Sequence, residues 1–256
     1  MLVEIIGNKA IIRCECGKII EDEYPVDCAD WMKAGIREAY NAVRCEACIK
    51  ADEARESERL RLLSEKELLE TLDSRMKKTG IPEKFRSLEA PYVRHASEWL
   101  FRHRQDHLIL GGDTGTGKTS SIGLVVRCML KKERFDVMYR TRCTLFSEHI
   151  ASMKGDSDSE NAFLNRLEWY DIIIIDELVG KRGNGKLSPA GQDLLHNLLD
   201  GAYSGARKAK IWLFGNLREG SFRSLFDDPE PAVRRVNEVF TRAWVDKEKV
   251  IENINI

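Results

Sequence analysis

The chain has 256 residues, with 41 Lys plus Arg against 42 Asp plus Glu, and this balance excludes a strongly basic nucleic-acid coat and an acidic tail protein. Any contact with nucleic acid must therefore be local. A 43% apolar fraction can fill one large α/β domain with a small appendage, no run approaches the ~18–20 uncharged apolar residues that span a bilayer, and Met1-Leu-Val-Glu4 lacks the basic-then-apolar layout of a leader, so the expectation is a soluble cytoplasmic protein with no membrane contact.

Glu4 to Arg13 reads as two short apolar strands around a Gly7-Asn8 turn, leading to Cys14-Glu-Cys16. A helix-compatible run from Asp30 to Val43 leads to Cys45-Glu-Ala-Cys48. Five of the seven cysteines, Cys14, Cys16, Cys28, Cys45 and Cys48, crowd this first part, with Cys128 and Cys143 far downstream. In a cytosolic chain such clustering points to metal before disulfides. No histidine precedes His95, so a structural Zn²⁺ would sit in a tetrahedron of Cys14, Cys16, Cys45 and Cys48 thiolates. Residues 1–50 have too small a core to be secure alone, which makes a metal physically useful. The Cys-x-Cys spacing is tighter than usual; free buried thiols, or a set in which Cys28 replaces one ligand, are the alternatives. Cys128 and Cys143 read as core or incidental residues.

From Ile49 to Lys78 the chain has no Gly or Pro and is crowded with Glu, Arg, Lys and Leu, the composition of an exposed helix. Leu62, Leu69, Leu72 and Met76 are expected on one side of it, docked on the protein itself or on a partner. Residues 51–79 thus read as a charged linker helix, which Thr79-Gly80-Ile81-Pro82 ends.

Residues 80–256 form the larger domain. Buried-strand candidates at His107–Leu110, Val137–Arg140, Ile172–Ile175 and Ile211–Phe214 alternate with helix-length segments, which implies a parallel sheet with covering helices. The first strand runs into Gly112-Asp113-Thr114-Gly115-Thr116-Gly117-Lys118-Thr119, a G-x-x-x-x-G-K-[ST] phosphate loop, with Ser120 in the helix after it. Its glycines let backbone N–H groups approach phosphate, and the helix from Lys118 adds the positive end of its dipole. Lys118 supplies charge to the β- and γ-phosphates of ATP, and the Thr119 hydroxyl is placed for Mg²⁺.

The strand Ile172–Ile175 ends in Asp176 and Glu177. Asp176 is expected beside the loop, where it would hold Mg²⁺, and Glu177 would polarise the water that attacks the γ-phosphate. Asn216, at the end of the fourth strand, could orient that water from the opposite side, unless Gly215-Asn216 is only a turn. Arg234 and Arg235 fall on a helix further on; an arginine there, with Arg235 ahead of Arg234, could reach a neighbouring subunit's γ-phosphate. A solvated basic pair is the plain alternative.

Together these residues resemble the AAA+ ATPases, specifically the DnaC-type bacterial and phage helicase loaders and their IstB-type transposition relatives. The resemblance runs from about Gly80 to Trp244 and includes Ile81-Pro82 and Phe85, Gly112 to Thr119, Ile172 to Glu177, Leu213 to Asn216, and Arg235-Val236. It implies a P-loop AAA+ fold without a C-terminal helical lid, Asn216 as the sensor residue, an adenine bordered by Ile81 to Phe85, and ATP hydrolysis to ADP and phosphate. It also implies an oligomer of the ATP-bound chain acting on a hexameric replicative DNA helicase and single-stranded DNA in replication. The cysteine block is similar to zinc-bearing N-terminal domains of some loaders that bind the helicase. The aromatic-Ser-Tyr-Arg ending common in that group is not found in Glu252 to Ile256, so no second sensing arginine is assigned.

Basic spots at Arg140 with Arg142, Lys181-Arg182 with Lys186 across Gly183-Asn184-Gly185, and Arg207-Lys208 with Lys210 are candidates to line a pore for single-stranded DNA, with Phe146 or Tyr139 as a stacking face; solvated surface is the alternative for each. The leading reading is a helicase loader, ahead of a transposition ATPase that serves a transposase. A P-loop kinase would need an acceptor pocket and an arginine-rich lid, neither of which the sequence offers.

Overall fold

The structure is a computed structural model, and it describes residues 2–6, 9–13, 16, 18–23, 46–86, 91–155, 157–179, 185–217, 220–246 and 249–254. The chain divides into two units, Met1–Lys66 and Glu67–Ile256.

In the first unit β1 (Leu2–Ile6), β2 (Lys9–Arg13) and β3 (Ile19–Glu23) form an antiparallel sheet in that order, with Leu2 opposite Arg13 and Lys9 opposite Glu23. The first two strands are those expected; Gly7 and Asn8 between them lie outside the described residues. The third has no apolar alternation to announce it, since Glu21, Asp22 and Glu23 follow its two isoleucines. The helix expected over 30–43 also lies outside the described residues. α1 (Glu46–Glu70) begins here, its exposed face laced by Lys50–Glu46 at 2.6 Å, Arg55–Asp52 at 2.6 Å and Arg61–Glu58 at 2.8 Å.

The single helix expected up to Lys78 is interrupted at Thr71, whose hydroxyl donates to the Glu67 carbonyl at 2.8 Å. α2 (Leu72–Thr79) then continues to Gly80. The expected stripe is corrected: Leu68, Leu72 and Met76, spaced four apart across Thr71, are buried, whereas Leu62 and Leu69 are 54% and 57% exposed.

The second unit is built on a six-stranded sheet in the order β5-β6-β7-β4-β8-β9. β4 (His107–Gly112), β5 (Val137–Thr141), β6 (Ile172–Asp176), β7 (Lys210–Gly215) and β8 (Phe240–Val245) run parallel, and β9 (Val250–Glu252) returns antiparallel to β8. The four expected strands are all present. β8 is additional; Thr241 and Arg242 interrupt Phe240-Thr-Arg-Ala-Trp-Val, so it lacks the apolar run of a central strand, yet it pairs along the whole of β4.

Helices cover both faces. Ile109, Ile173, Ile175, Ile211 and Leu213 point into one core with residues of α5 (Arg142–Met153), α6 (Ser157–Leu167), α7 (Pro189–Ser204) and α8 (Glu230–Val239). Leu108, Leu110, Ile172, Ile174, Trp212 and Phe214 point into the other, with α2, α3 (Pro91–Arg102) and α4 (Lys118–Lys132). Burial of both faces explains why these strands read as unbroken apolar runs. Among the described residues no helix is long and apolar enough to cross a membrane.

One close approach ties the segment before the sheet to α4. A Cβ on Gly123 would stand 1.8 Å from the Phe85 carbonyl oxygen, so that backbone rests directly on the helix. Gly123→Ala must displace the turn at 83–85 and is expected to lower stability by roughly 1–3 kcal/mol, read by chemical denaturation.

Candidate functional site

The site is assembled at the carboxyl ends of the parallel strands, where crossover connections leave a crevice. β4 delivers Gly112, the chain turns through Asp113 to Gly117, and α4 starts at Lys118. Gly117 stands at φ 82, a left-handed conformation that costs glycine nothing, directly before the first turn of α4, whose opening N–H groups have no acceptor within the helix. Asp113, Thr114 and Gly115 are exposed, while Thr116 is buried with its hydroxyl on the Asp113 carbonyl at 2.8 Å. Ser120 is buried in the first turn of α4.

Lys118 folds back over this loop: its Nζ donates to the carbonyls of Gly112 at 2.6 Å and Asp113 at 2.8 Å. Burial pushes its ammonium below the ordinary lysine value, against the pull of Asp176 and Asp113. A partly desolvated cation served by two neutral carbonyls and, at 3.5 Å, the Thr116 hydroxyl has capacity for an anion.

Asp176, only 2% exposed at the end of β6, is held on both carboxylate oxygens. Oδ2 accepts from the Thr119 hydroxyl at 2.7 Å and from the Tyr139 hydroxyl at 2.8 Å, and Oδ1 accepts from the Glu177 N–H at 2.8 Å. Burial is the main cause that drives the Tyr139 phenol far above its usual range, reinforced by the Asp176 charge. The Thr119 hydroxyl and the Asp176 carboxylate are hard oxygen donors in mutual contact beside the phosphate loop, a set that suits Mg²⁺.

Past Asp176 the chain bends over the end of β7. Leu178 N–H donates to Phe214 O and Asn216 N–H to Val179 O, each at 2.8 Å. Glu177, at the bend, takes φ 56 with its side chain exposed. The Asn216 side-chain oxygen is buried and has no hydrogen-bond partner among the described residues. A buried acceptor of this kind is costly unless a ligand or water completes it. Thus the structure brings the loop, Lys118, Thr119, Asp176, Glu177 and Asn216 to one end of the sheet.

Arg235 is elsewhere. On α8, it forms an ion pair with Asp200 of α7, its side chain 19% exposed, and lines a cavity of about 560 Å³ with Arg207, Tyr203 and Arg234. Arg234 is the more exposed of the pair, its guanidinium 6.0 Å from the Tyr203 ring.

The stacking face expected for DNA is corrected. Phe146 and Tyr139 are 7% and 4% exposed and present no stacking face. Arg140 is paired with Glu148 at 2.9 Å, Arg142 donates to the Leu178 carbonyl at 3.2 Å, and Lys186 is paired with Asp227. Arg207 is buried against Glu168 at 2.9 Å, and Lys208 lies 3.7 Å from Asp171. Arg140, Arg142 and Arg207 are thus engaged within the fold, whereas Lys186 and Lys208 pair at the surface with side chains 54% and 86% exposed. Lys181, Arg182, Gly183 and Asn184 lie outside the described residues. Of the fragment expected to border the adenine, Ile81 is fully buried in the core, leaving Phe85 partly exposed.

Of the cysteines, Cys14, Cys28 and Cys45 lie outside the described residues, while Cys16 is exposed and Cys48 partly so. Cys128 is partly buried and Cys143 exposed. Among the described residues no three His, Cys, Asp or Glu side chains are gathered as a metal site. The sequence reading also missed Tyr139 as a partner of Asp176. Its only signal is the register of two strands, Tyr139 opposite Ile174, which no local pattern carries.

The strain at Glu177 yields a test. A non-glycine residue in the left-handed region costs roughly 1–2 kcal/mol. Glu177→Gly is therefore expected to raise unfolding stability by up to about 1 kcal/mol in denaturant titration, the entropy of glycine offsetting part of the gain.

No family model matches the chain, and no curated protein matches it. Similar solved structures include domain III of the replication initiation protein DnaA from Thermotoga maritima, at a TM-score of 0.49 and 19% identity over 65% of this chain and 68% of that one. A DnaC helicase loader follows at 0.47 and 15%, over 62% of this chain and 93% of that one. AMPPCP-bound DnaA from Aquifex aeolicus gives 0.44 and 17% over 59% of this chain, which spans only 43% of the DnaA chain. The loader group that the motifs resemble is thus among the similar structures; with TM-scores under 0.5, the likeness by itself carries no argument about activity or partners.

Proposed function

We propose that the chain is an AAA+ ATPase that binds ATP with Mg²⁺ at Gly112 to Ser120, hydrolyses it to ADP and phosphate, and uses that cycle to load a replicative DNA helicase onto single-stranded DNA. The observation that carries the ATPase reading is the 2.7 Å contact of Thr119 Oγ1 with Asp176 Oδ2 beside the folded-back Lys118. Phosphate oxygens would replace the two carbonyls on Lys118, and the N–H groups opening α4 would add their dipoles. Mg²⁺, held by Thr119 and Asp176, would supply charge neutralisation on the phosphates. Glu177 orients and deprotonates the attacking water, and Asn216, whose buried oxygen lacks a partner, fixes that water from the neighbouring strand. Arg235 would reach the nucleotide of an adjacent copy after leaving Asp200, which makes hydrolysis depend on a homo-oligomer.

The choice of a helicase as partner rests on the sequence motifs. The cysteine-bearing first unit, with Zn²⁺ held by Cys14, Cys16, Cys45 and Cys48, supports the loader over an IstB-like transposition role. It would grip the helicase while the ATPase units meet DNA.

Lys118→Ala removes a charged donor and is expected to weaken ATP binding roughly 10- to 100-fold in a fluorescent-nucleotide titration. Glu177→Gln is expected to bind ATP normally and to lose roughly 10²- to 10⁴-fold in phosphate release. Rapid turnover by that variant would remove Glu177 from its role. For the partner, copurification with hexameric replicative helicases in ATP is expected for the wild type and to be lost in Cys45→Ser together with its zinc, measured by metal analysis. Zinc-loaded wild type that retains ATPase activity but binds no helicase would sink the loader reading alone.

A further inference from the structure

Asp176 is a charged group at 2% exposure, and the hydrogen bonds that hold it differ in what else their donors can do. The Thr119 hydroxyl stands at the start of α4 beside the loop and, under the proposed function, is claimed by the metal. The Glu177 N–H belongs to the backbone bend and serves Oδ1 only. The Tyr139 hydroxyl comes from β5, the strand on the far side of β6, and Asp176 is its one hydrogen-bond partner among the described residues. The Tyr139 ring lies in the core with Val137, Ile172 and Ile174, so the hydroxyl is delivered to Oδ2 by packing and cannot swing to another acceptor.

Two hydroxyls therefore share one oxygen, one of them free to leave for a cation and the other fixed. We propose that Tyr139 is a positioning residue for the divalent cation: by donating to Oδ2 of Asp176 from the buried side, it sets the carboxylate's rotation and so the affinity of the site for Mg²⁺. Among the described residues the Tyr139 hydroxyl bonds Asp176 and not the phosphate loop, so nucleotide binding without metal is expected to be independent of it. This inference rests on the proposed Mg²⁺-nucleotide site.

The test is a titration of a fluorescent ATP analogue against wild type, Tyr139→Phe and Asp176→Asn, first in EDTA and then at fixed nucleotide with rising Mg²⁺. Tyr139→Phe is expected to bind as wild type in EDTA and to need roughly 10-fold more Mg²⁺ for half-maximal effect, the scale seen when groups behind a metal ligand are removed. At saturating Mg²⁺ it should regain wild-type affinity, a rescue that a merely damaged core would not give. An unchanged Mg²⁺ midpoint in a Tyr139→Phe variant that melts like wild type, or an affinity already lost in EDTA, would overturn the positioning role while the nucleotide site stands. Wild-type binding that ignores Mg²⁺, or an Asp176→Asn variant that responds to it normally, would overturn the metal site and this role together.

Discussion

The hydrogen bond from Thr119 to Asp176 spans a strand. β7 lies between β4, which carries the loop, and β6, which ends in the carboxylate, so the contact forms only if the ends of all three strands are level. The ladders enforce this, with Gly111 opposite Gly215 on one side of β7 and Ile175 opposite Leu213 on the other. A register slip would turn every side chain of a strand to the wrong face of a sheet buried on both sides, and would therefore forfeit the core before it disturbed the site. The geometry of a few polar atoms is thus guarded by the apolar interior.

That same interior makes Asp176 an expensive residue. A carboxylate removed from water must be compensated locally, and here hydroxyls from β5 and α4 and a backbone N–H do so. The polar groups that the chain leaves uncompensated are instructive by contrast. The Asn216 oxygen is buried without a partner, and Lys118 has only neutral acceptors. Both deficits stand at the same end of the sheet, which is why the crevice reads as prepared for an anion and a polar small molecule rather than as a gap in packing.

What the sequence disclosed follows from the range over which each signal acts. The phosphate loop, Asp176-Glu177 and the four central strands are local patterns, and the structure places them as read. β8 was hidden because its burial depends on its neighbours: Phe240, Ala243 and Val245 are buried while Thr241 and Arg242 between them are not. Arg207 looked available because Glu168, the carboxylate it meets, is remote in sequence. Tyr139 was mistaken for a surface aromatic for a similar reason, its hydroxyl being explained only by a residue on the adjacent strand. The interruption at Thr71 is a further case: its hydroxyl and its own N–H both donate to the Glu67 carbonyl in a stretch of otherwise strong helix formers.

The bare backbone at Gly123 has a mechanical meaning. Since the Phe85 carbonyl sits against α4 without a side chain between them, residues 83–86 and the helix that begins with Lys118 and Thr119 share a rigid boundary. Arg86, which closes the same turn, holds the Ile81 carbonyl at 2.8 Å, so the stiffness extends back to the end of α2. The turn at 83–85 therefore has no side chain on α4 to cushion it, and its position is set by backbone contact with the helix that carries Lys118 and Thr119.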